Sequence, residues 1–308
     1  MKKEPRTENL YPKVMHHFPI VDTENCLCVV VTYHPDDALY TRLKQLQDVF
    51  QHILVVDNSH IDIYVSKVAR YVNDLELVCI NNASNLGLGR ALNQGFEFAN
   101  AHGFEWCVFF DQDTSVSSNF LSSLQECATD LNDSAAFFGS NYSDMHAHKV
   151  RFETSSELGV RYRKVRTVIT SGSLISMAVY NMIGGFREDY FIDSIDHEYC
   201  LRARKQGFEV FLSLAVGMDH SLGDERRSLK VFSSFPEHNP IRKFYIARNS
   251  MVTVITYFSF DKIWCLKQIV RILLEVFCVI LFESRKVDKL MGTIKGLIAG
   301  ARGRFDAD

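Results

Sequence analysis

Apolar and polar residues alternate in blocks through the first half of the chain. The run from Cys28 to Tyr33 (Cys-Val-Val-Val-Thr-Tyr) is continuous, short and β-branched, which predicts a strand covered on both faces. After it, Leu39, Leu43, Leu46 and Phe50 recur at helical spacing within Ala38 to Phe50. The alternation continues with a strand over Ile53 to Val56, a helix over Ile63 to Val72 and a strand over Leu75 to Ile80. It closes with a helix over Leu88 to Ala101 and a strand over Trp106 to Phe110. Strand and helix therefore alternate four times, the pattern of a parallel sheet with helices on both faces, and such sheets bind ligands at the carboxyl ends of their strands. Beyond about residue 135 the pattern loosens: strands are expected near Ala136 to Gly139, Val168 to Ala178 and Val210 to Leu214, and a helix near His197 to Lys205. This second half reads as a mixed sheet that receives a second substrate.

Composition narrows the class. With 47% hydrophobic and 23% charged residues in a chain of 308, disorder, collagen and coiled coil are excluded. Thirty-four basic against thirty-seven acidic side chains leave no overall positive field, which argues against a nucleic-acid binder. The eight cysteines are scattered without a zinc-like Cys-x-x-Cys, and Cys26 and Cys28 would share one face of a strand. They read as reduced, buried thiols of a cytoplasmic protein. The polar start, Met1 to Arg6, does not resemble a secretory signal, and the longest uncharged apolar run near the C-terminus, Val276 to Phe282, is too short to span a bilayer. The pairs His16-His17 and His146/His148 have no carboxylate context and are expected to be solvated.

The candidate chemistry lies at the strand ends. Asp111-Gln112-Asp113 follows a buried strand, and in extended geometry its two carboxylates would face one point of the crevice. A hard divalent cation would relieve their repulsion and leave positions for diphosphate oxygens. Asp57 ends the second strand, where a carboxylate can accept the imide N–H of a uracil or thymine ring or a ribose hydroxyl; a turn-forming or N-cap role is the alternative. The stretch Asn85 to Asn93 opens a helix with Gly87 and Gly89, which allow close backbone approach to a ligand. It lacks the third glycine of a nicotinamide fingerprint and follows the third strand, which disfavours a simple dehydrogenase. The first strand's Thr32-Tyr33-His34-Pro35-Asp36 has no glycine, which disfavours a nucleotidyltransferase with a phosphate loop there.

Several segments taken together resemble glycosyltransferase family 2: Val30-Val31-Thr32-Tyr33, Val55 to Ser59, Asn85 to Asn93, Phe109 to Thr114, Thr170 to Ser173, Gly184-Gly185-Phe186, Phe191 to Arg202 and Tyr245 to Asn249. Asp111-Gln112-Asp113-Thr114 with Phe191-Ile192-Asp193-x-x-Asp196-x-Glu198-x-Cys200-Leu201-Arg202 is particularly similar to bacterial rhamnosyltransferases of that family. The resemblance covers roughly residues 26 to 250, in family order. It implies a glycosyltransferase-A fold, a Rossmann-like nucleotide-binding half with a mixed central sheet, and transfer with inversion from a nucleotide-diphosphate sugar. The favoured donor is dTDP-rhamnose, and the acceptor a saccharide or polyprenyl-linked saccharide of a cell-surface polysaccharide such as O-antigen or capsule. Thr32, Asp57, Asn85, Gly89, Arg90 and Asp111 would surround the nucleotide, with Asp113 the chief ligand of Mg2+ or Mn2+ and Asp111 assisting. Asp196 falls at the position of the family's base, although the family more often shows Glu-Asp where this chain has Ile195-Asp196, and Asp193 is the nearest competitor. An N-cap role for Asp196 is compatible with either assignment. His220 resembles a histidine that approaches the metal or diphosphate, against a structural role. Arg248 would clamp phosphate, against a surface ion pair, while Arg202 and Arg204 read as helix-surface charges. Another hexose donor, or a silent nucleotide-binding scaffold, are the alternative functions.

Three regions follow: an arm over 1–25, a catalytic domain over 26–250 divided near 135 into donor and acceptor halves, and a helical region over 251–308. In the last, Lys267, Arg271 and Glu275 put one polar stripe on an apolar helix over Ile263 to Phe282, and Leu290, Ile294, Leu297, Ile298 and Ala301 form a second apolar stripe. Glu283 to Arg304 holds six basic and two acidic residues, which would suit peripheral contact with an anionic membrane at the cytoplasmic face; closure of the catalytic core or of a homodimer is the other reading.

Overall fold

The computed structural model describes residues 18–131, 135–144, 149–152, 160–220 and 237–305. Along the first half run β1 (Cys26–Thr32), α1 (Leu39–Gln47), β2 (His52–Asp57), α2 (Asp62–Asp74), β3 (Val78–Asn81), α3 (Leu88–His102) and β4 (Trp106–Asp111). There follow β5 (Ser115–Val116), α4 (Phe120–Asp130), β6 (Phe137–Asp144), β7 (Lys149–Val150), β8 (Tyr162–Val165), β9 (Ser173–Ser176) and α5 (Met177–Ile183). After a 3-10 turn over Glu188–Tyr190, the chain completes α6 (Ile195–Lys205), β10 (Val210–His220), α7 (Pro240–Tyr257), α8 (Lys262–Leu281) and α9 (Lys286–Ala301).

The ten strands among the described residues join one sheet in the order β3-β2-β1-β4-β9-β6-β10-β5, with β7 on β6 and β8 on β10. The run β3-β2-β1-β4 is parallel, as continuous apolar strands joined by helices require. The next pairings, β4 with β9 and β9 with β6, are antiparallel, so the sheet is mixed. Because β2 and β4 lie on opposite sides of β1, the strand order reverses there and opens a crevice at the carboxyl ends. Every residue of β1 is buried, and Trp106, Phe109, Phe110 and Phe138 fill the core around it.

Three helices lie where periodicity showed none: α4, α5 and α7. The strand expected over Val168 to Ala178 shortens to β9, because Ser176 caps α5 by accepting from the Ala178 N–H (3.2 Å) and turns the chain into a helix. The arm expected over 1–25 is docked from Phe18 onward. Phe18 and Val21 are buried, and the Trp106 indole donates to the Pro19 carbonyl (3.0 Å). Residues 1–17, His16 and His17 among them, and His146 and His148 lie outside the described residues. All eight cysteines are free, and seven of them are buried.

The C-terminal helices pack on α7. Gly292, Gly296 and Gly300 recur every turn of α9 and face α7 so closely that a Cβ at Gly296 would lie 2.3 Å from the Phe244 carbonyl oxygen. Between these helices Glu283 accepts from both Lys243 (3.1 Å) and Lys289 (3.0 Å), a buried and mutually compensated group. His238 stands beside them with a buried, unpartnered Nδ1. Burial, reinforced by Arg242, Lys243, Arg271 and Lys289, pushes its pKa down from 6.5 to about 3. An unfolded chain binds a proton at this histidine below pH 6.5, whereas the folded chain resists until about pH 3, so stability is lost as pH falls through that window. We expect His238→Gln to flatten the decline of Tm between pH 7 and about pH 4 relative to the wild type, measured by thermal unfolding.

Candidate active site

Three strand ends build one wall of the crevice. Thr32 ends β1 and pairs in register with Asp57 at the end of β2. The Thr32 hydroxyl donates to Asp57 Oδ1 (2.8 Å), and the Ser59 N–H adds a second bond (3.1 Å). Asp57 Oδ2 is buried and has no hydrogen-bond partner. A buried carboxylate oxygen without a donor is costly in water-free surroundings, and a ligand N–H or O–H would relieve that cost. Beside it the backbone N–H of His34, a residue at φ +47°, donates to the Ser59 hydroxyl oxygen (2.9 Å), and the imidazole stacks between Tyr33 and Tyr64 (ring centroids 4.0 and 4.5 Å). Burial lowers the His34 pKa, so the stack is neutral near pH 7.

The end of β4 is tied to β1 by an amide clamp that sequence reasoning missed. Gln112 accepts from the Tyr33 N–H (2.7 Å) and donates to the Tyr33 carbonyl (3.2 Å), while Arg42 donates to the Gln112 carbonyl (3.0 Å). The chain does not stay extended through Asp111-Gln112-Asp113: β4 stops at Asp111, and the Thr114 N–H donates back to the Asp111 carbonyl (3.2 Å). The two carboxylates are therefore presented by a turn, not by one face of a strand. Ser171 fixes that turn through one hydroxyl–hydroxyl hydrogen bond to Thr114 (2.6 Å) and by accepting from the Asp111 N–H (3.2 Å). Asp111 and Asp113 are partly buried and offer hard oxygen donors, a set that suits Mg2+ or Mn2+ when diphosphate oxygens and water fill the other positions. Among the described residues there is no group of three or more His, Cys, Asp or Glu that could hold a metal by itself. His220 ends β10, and its side chain lies outside the described residues.

The motif at Asn85 to Asn93 makes a set of contacts within the chain. Asn85 Oδ1 accepts from the Gly87 N–H (3.0 Å) and starts α3. Gly89 then packs against the chain's own backbone: a Cβ there would lie 2.5 Å from the Arg187 carbonyl oxygen. Asn93 accepts from the Phe186 N–H (2.7 Å) and donates to the Phe186 carbonyl (3.0 Å), and Gly185 is small because Asn93 Oδ1 would lie 2.3 Å from its Cβ. The two motifs Asn85 to Asn93 and Gly184 to Phe186 are thus the two sides of one internal interface. Arg90 belongs to it as well. Its guanidinium pairs with Glu97 and Glu188, so the described contacts of Gly89 and Arg90 are with the chain itself.

That interface also fixes the segment before α6. The Leu88 N–H donates to the Phe191 carbonyl (2.6 Å), which holds the segment before α6 against the start of α3. The segment is strained: Phe191, Asp193 and Ser194 all have φ between +62° and +67°. Two side chains of α7 hold it. Asn249 donates to the carbonyls of Tyr190 (2.9 Å), Ile192 (2.7 Å) and Asp193 (2.9 Å). Arg248 is completely buried, and its guanidinium donates to the carbonyls of Asp189 (2.8 Å), Tyr190 (3.1 Å) and Phe305 (2.6 Å) and to Asn249 Oδ1 (3.0 Å). Four of its five N–H groups are spent on the fold, which corrects both the phosphate-clamp and the surface-pair expectations. Asp193 has both oxygens engaged by Arg242 (3.1 and 3.2 Å). Asp196, in the first turn of α6, accepts from the His197 N–H (2.7 Å) and keeps part of its side chain exposed. Arg202 is not a simple surface charge: it binds Glu198 and the carbonyls of Ile183 and Gly185. Arg204 pairs with the buried Asp261 (2.8 Å).

A mixed sheet with a parallel 3-2-1-4 half and carboxylates at its strand ends is the arrangement of the glycosyltransferase-A fold. The profile of Glycosyl transferase family 2 matches residues 28–190, more than half of the chain; the chain belongs to that family and is a glycosyltransferase. It is 28% identical over 295 residues to the dTDP-rhamnosyl transferase RfbF of Shigella flexneri, covering 91% of this chain and 96% of that one. Among solved structures, Staphylococcus aureus TarS 1-349 superposes with a TM-score of 0.59 at 14% identity, over 91% of this chain and 82% of that one. GalNAc-T7, solved with UDP, GalNAc and Mn2+, superposes with a TM-score of 0.59 at 10% identity, over 90% of this chain and 56% of that one.

Proposed function

We propose that the chain transfers L-rhamnose from dTDP-rhamnose, with inversion, onto a saccharide or lipid-linked saccharide of a cell-surface polysaccharide, working at the cytoplasmic face of a membrane. The observation that carries the donor class is the buried, unpartnered Oδ2 of Asp57 beside a neutral aromatic stack. The imide N–H of thymine or uracil matches it. Thymine rather than uracil, and rhamnose rather than another hexose, rest on the likeness to a dTDP-rhamnosyl transferase. Residues 26–135 form the donor half and 136–250 the acceptor half. Asp57 and Thr32 hold the base. Asp111 and Asp113 would hold a divalent cation, which when bound neutralises charge on the departing diphosphate. Asp196 takes the proton of the acceptor hydroxyl as its oxygen attacks the anomeric carbon from the face opposite the diphosphate; the bond to the diphosphate oxygen breaks and the configuration inverts. The glycosyl bond is thus exchanged without a covalent enzyme adduct.

A donor panel tests this reading. With manganese present, purified chain and acceptor should release nucleotide from dTDP-rhamnose at least about tenfold faster than from UDP-glucose, UDP-galactose or UDP-N-acetylglucosamine, and Asp57→Asn should raise the donor KM by about tenfold through loss of one charge-assisted hydrogen bond. Equal or faster release from a UDP-sugar overturns the rhamnose assignment. No release from any donor overturns the mechanism.

A further inference from the structure

Two polar residues of α8 face inward while most of its exposed surface is apolar. Its buried face carries Gln268, which donates to the Ser250 hydroxyl (2.9 Å), and Glu275, whose pKa burial raises, together with Trp264, Cys265 and Val279. Its outer face carries Ile263, Leu266, Val270, Leu273, Phe277 and Leu281, all exposed, with Leu273 at 63%. These six recur at steps of three and four, so they form one stripe about 27 Å long at 1.5 Å rise per residue. Phe258 and Phe260, in the turn that leads into α8, and Phe282 just beyond it extend the stripe at both ends. A contiguous apolar face of this length is rare on a protein surrounded by water.

Charge identifies what covers it. The whole protein carries a net charge of −3, yet between Lys262 and Phe305 eight lysines and arginines are exposed against one acid, Asp288. Lys267 and Arg271 flank the stripe along one side, Lys262 stands at its start, and Arg285 and Lys286 follow its end. An apolar stripe rimmed by cations matches a helix that lies in the plane of an anionic lipid surface, its apolar face among the acyl chains and its basic rim at the phosphates. A second copy fits poorly: a two-fold contact through this stripe would bring the same cations of both protomers together with no exposed acid on α8 to meet them. No helix among the described residues is long and apolar enough to cross a membrane.

We propose that the outer face of α8 seats this protein on the surface of an anionic phospholipid membrane, as a peripheral contact independent of which sugar the active site transfers. Truncation is a poor test, because α9 lies against α7 and Phe305 caps Arg248, so removing the C-terminus would also disturb the segment before α6. Outward substitutions avoid that. Wild-type protein is expected to sediment with phosphatidylethanolamine–phosphatidylglycerol vesicles, less with phosphatidylcholine vesicles, and less again at high salt. The triple variant Leu266→Gln, Leu273→Gln, Phe277→Gln should lose at least about tenfold in vesicle partitioning, since each replaced side chain forfeits most of its transfer into hydrocarbon. The pair Lys262→Glu, Lys267→Glu should abolish the preference for anionic lipid. Because every replaced side chain already faces water, thermal unfolding and donor hydrolysis in solution should stay at wild-type values, which separates failure of this inference from failure of the proposed reaction. Three results would overturn it: no sedimentation of the wild type, sedimentation that the triple variant retains, or a solution dimer that the triple variant converts to monomer. Equal binding to phosphatidylcholine would overturn the choice of lipid.

Discussion

Replacing Asp196 with Asn is expected to lower kcat for sugar transfer by about 10²- to 10⁴-fold, the usual worth of a positioned general base. The amide keeps the acceptor oxygen that Oδ1 offers to the His197 N–H, so α6 keeps its first turn and Tm should not change. The donor KM should also hold, because the contacts proposed for the nucleotide are made by other residues, Thr32 and Asp57. Asp193→Asn is the control. Both oxygens of that carboxylate are taken by Arg242, so its loss should weaken the link between α7 and the strained segment, leaving kcat within about tenfold of wild type. The reverse ranking, Asp193 essential and Asp196 dispensable, would move the base. Steady-state kinetics with a saturating acceptor, together with thermal unfolding of each variant, distinguishes the two.

The second large effect concerns a residue that need not touch substrate. Asn249→Ala removes the donor for the carbonyls of Ile192 and Asp193, one of the donors to that of Tyr190, which keeps Arg248, and the acceptor for Arg248. Each buried group left unmatched costs about 1–3 kcal/mol, so the variant should lose roughly 3 kcal/mol or more. For a chain of this size that lowers Tm by roughly 6 to 12 °C. Without its pins the segment holding Phe191, Asp193 and Ser194 at positive φ relaxes, and Asp196 moves with it. A displacement of about 1 Å is enough to cost roughly 10²-fold in kcat. Asn249 is therefore a positioning residue, and the diagnostic is a fall in kcat with an unchanged donor KM, measured well below the variant's Tm. Asn249→Asp keeps the shape and removes the donors, so it should not rescue; wild-type kcat in either variant would show that the segment holds itself.

Much of the parallel half was legible because it needs only local information. Runs such as Cys28 to Tyr33 and Trp106 to Phe110 are too apolar and too short for anything but a doubly covered strand, and polar residues that interrupt them mark the strand ends. Asp57, Asp111 and Asp113 could be placed at the crevice for that reason. Arg248 could not, since guanidinium chemistry suits a phosphate and a row of carbonyls equally, and only the fold brings Asp189, Tyr190 and Phe305 to it. Gly89 and Arg90 fall in the same class: a glycine permits close approach without saying to what, and here the neighbour is Arg187. Asn249 stands beside an arginine already singled out, within the Tyr245 to Asn249 segment.

The periodicity of α8 shows the division most clearly. By itself the order of residues determined that Lys267, Arg271 and Glu275 share one side of a helix and that Ile263, Leu266, Leu273 and Phe277 share another, because a helix advances by a constant angle per residue. Which side meets α7 and which is left open depends on what surrounds the helix, and that is a property of the assembled chain. Tertiary packing turned Gln268 and Glu275 inward and the aliphatic stripe outward, just as it buried Arg248 against backbone carbonyls and left Asp57 Oδ2 buried without a partner.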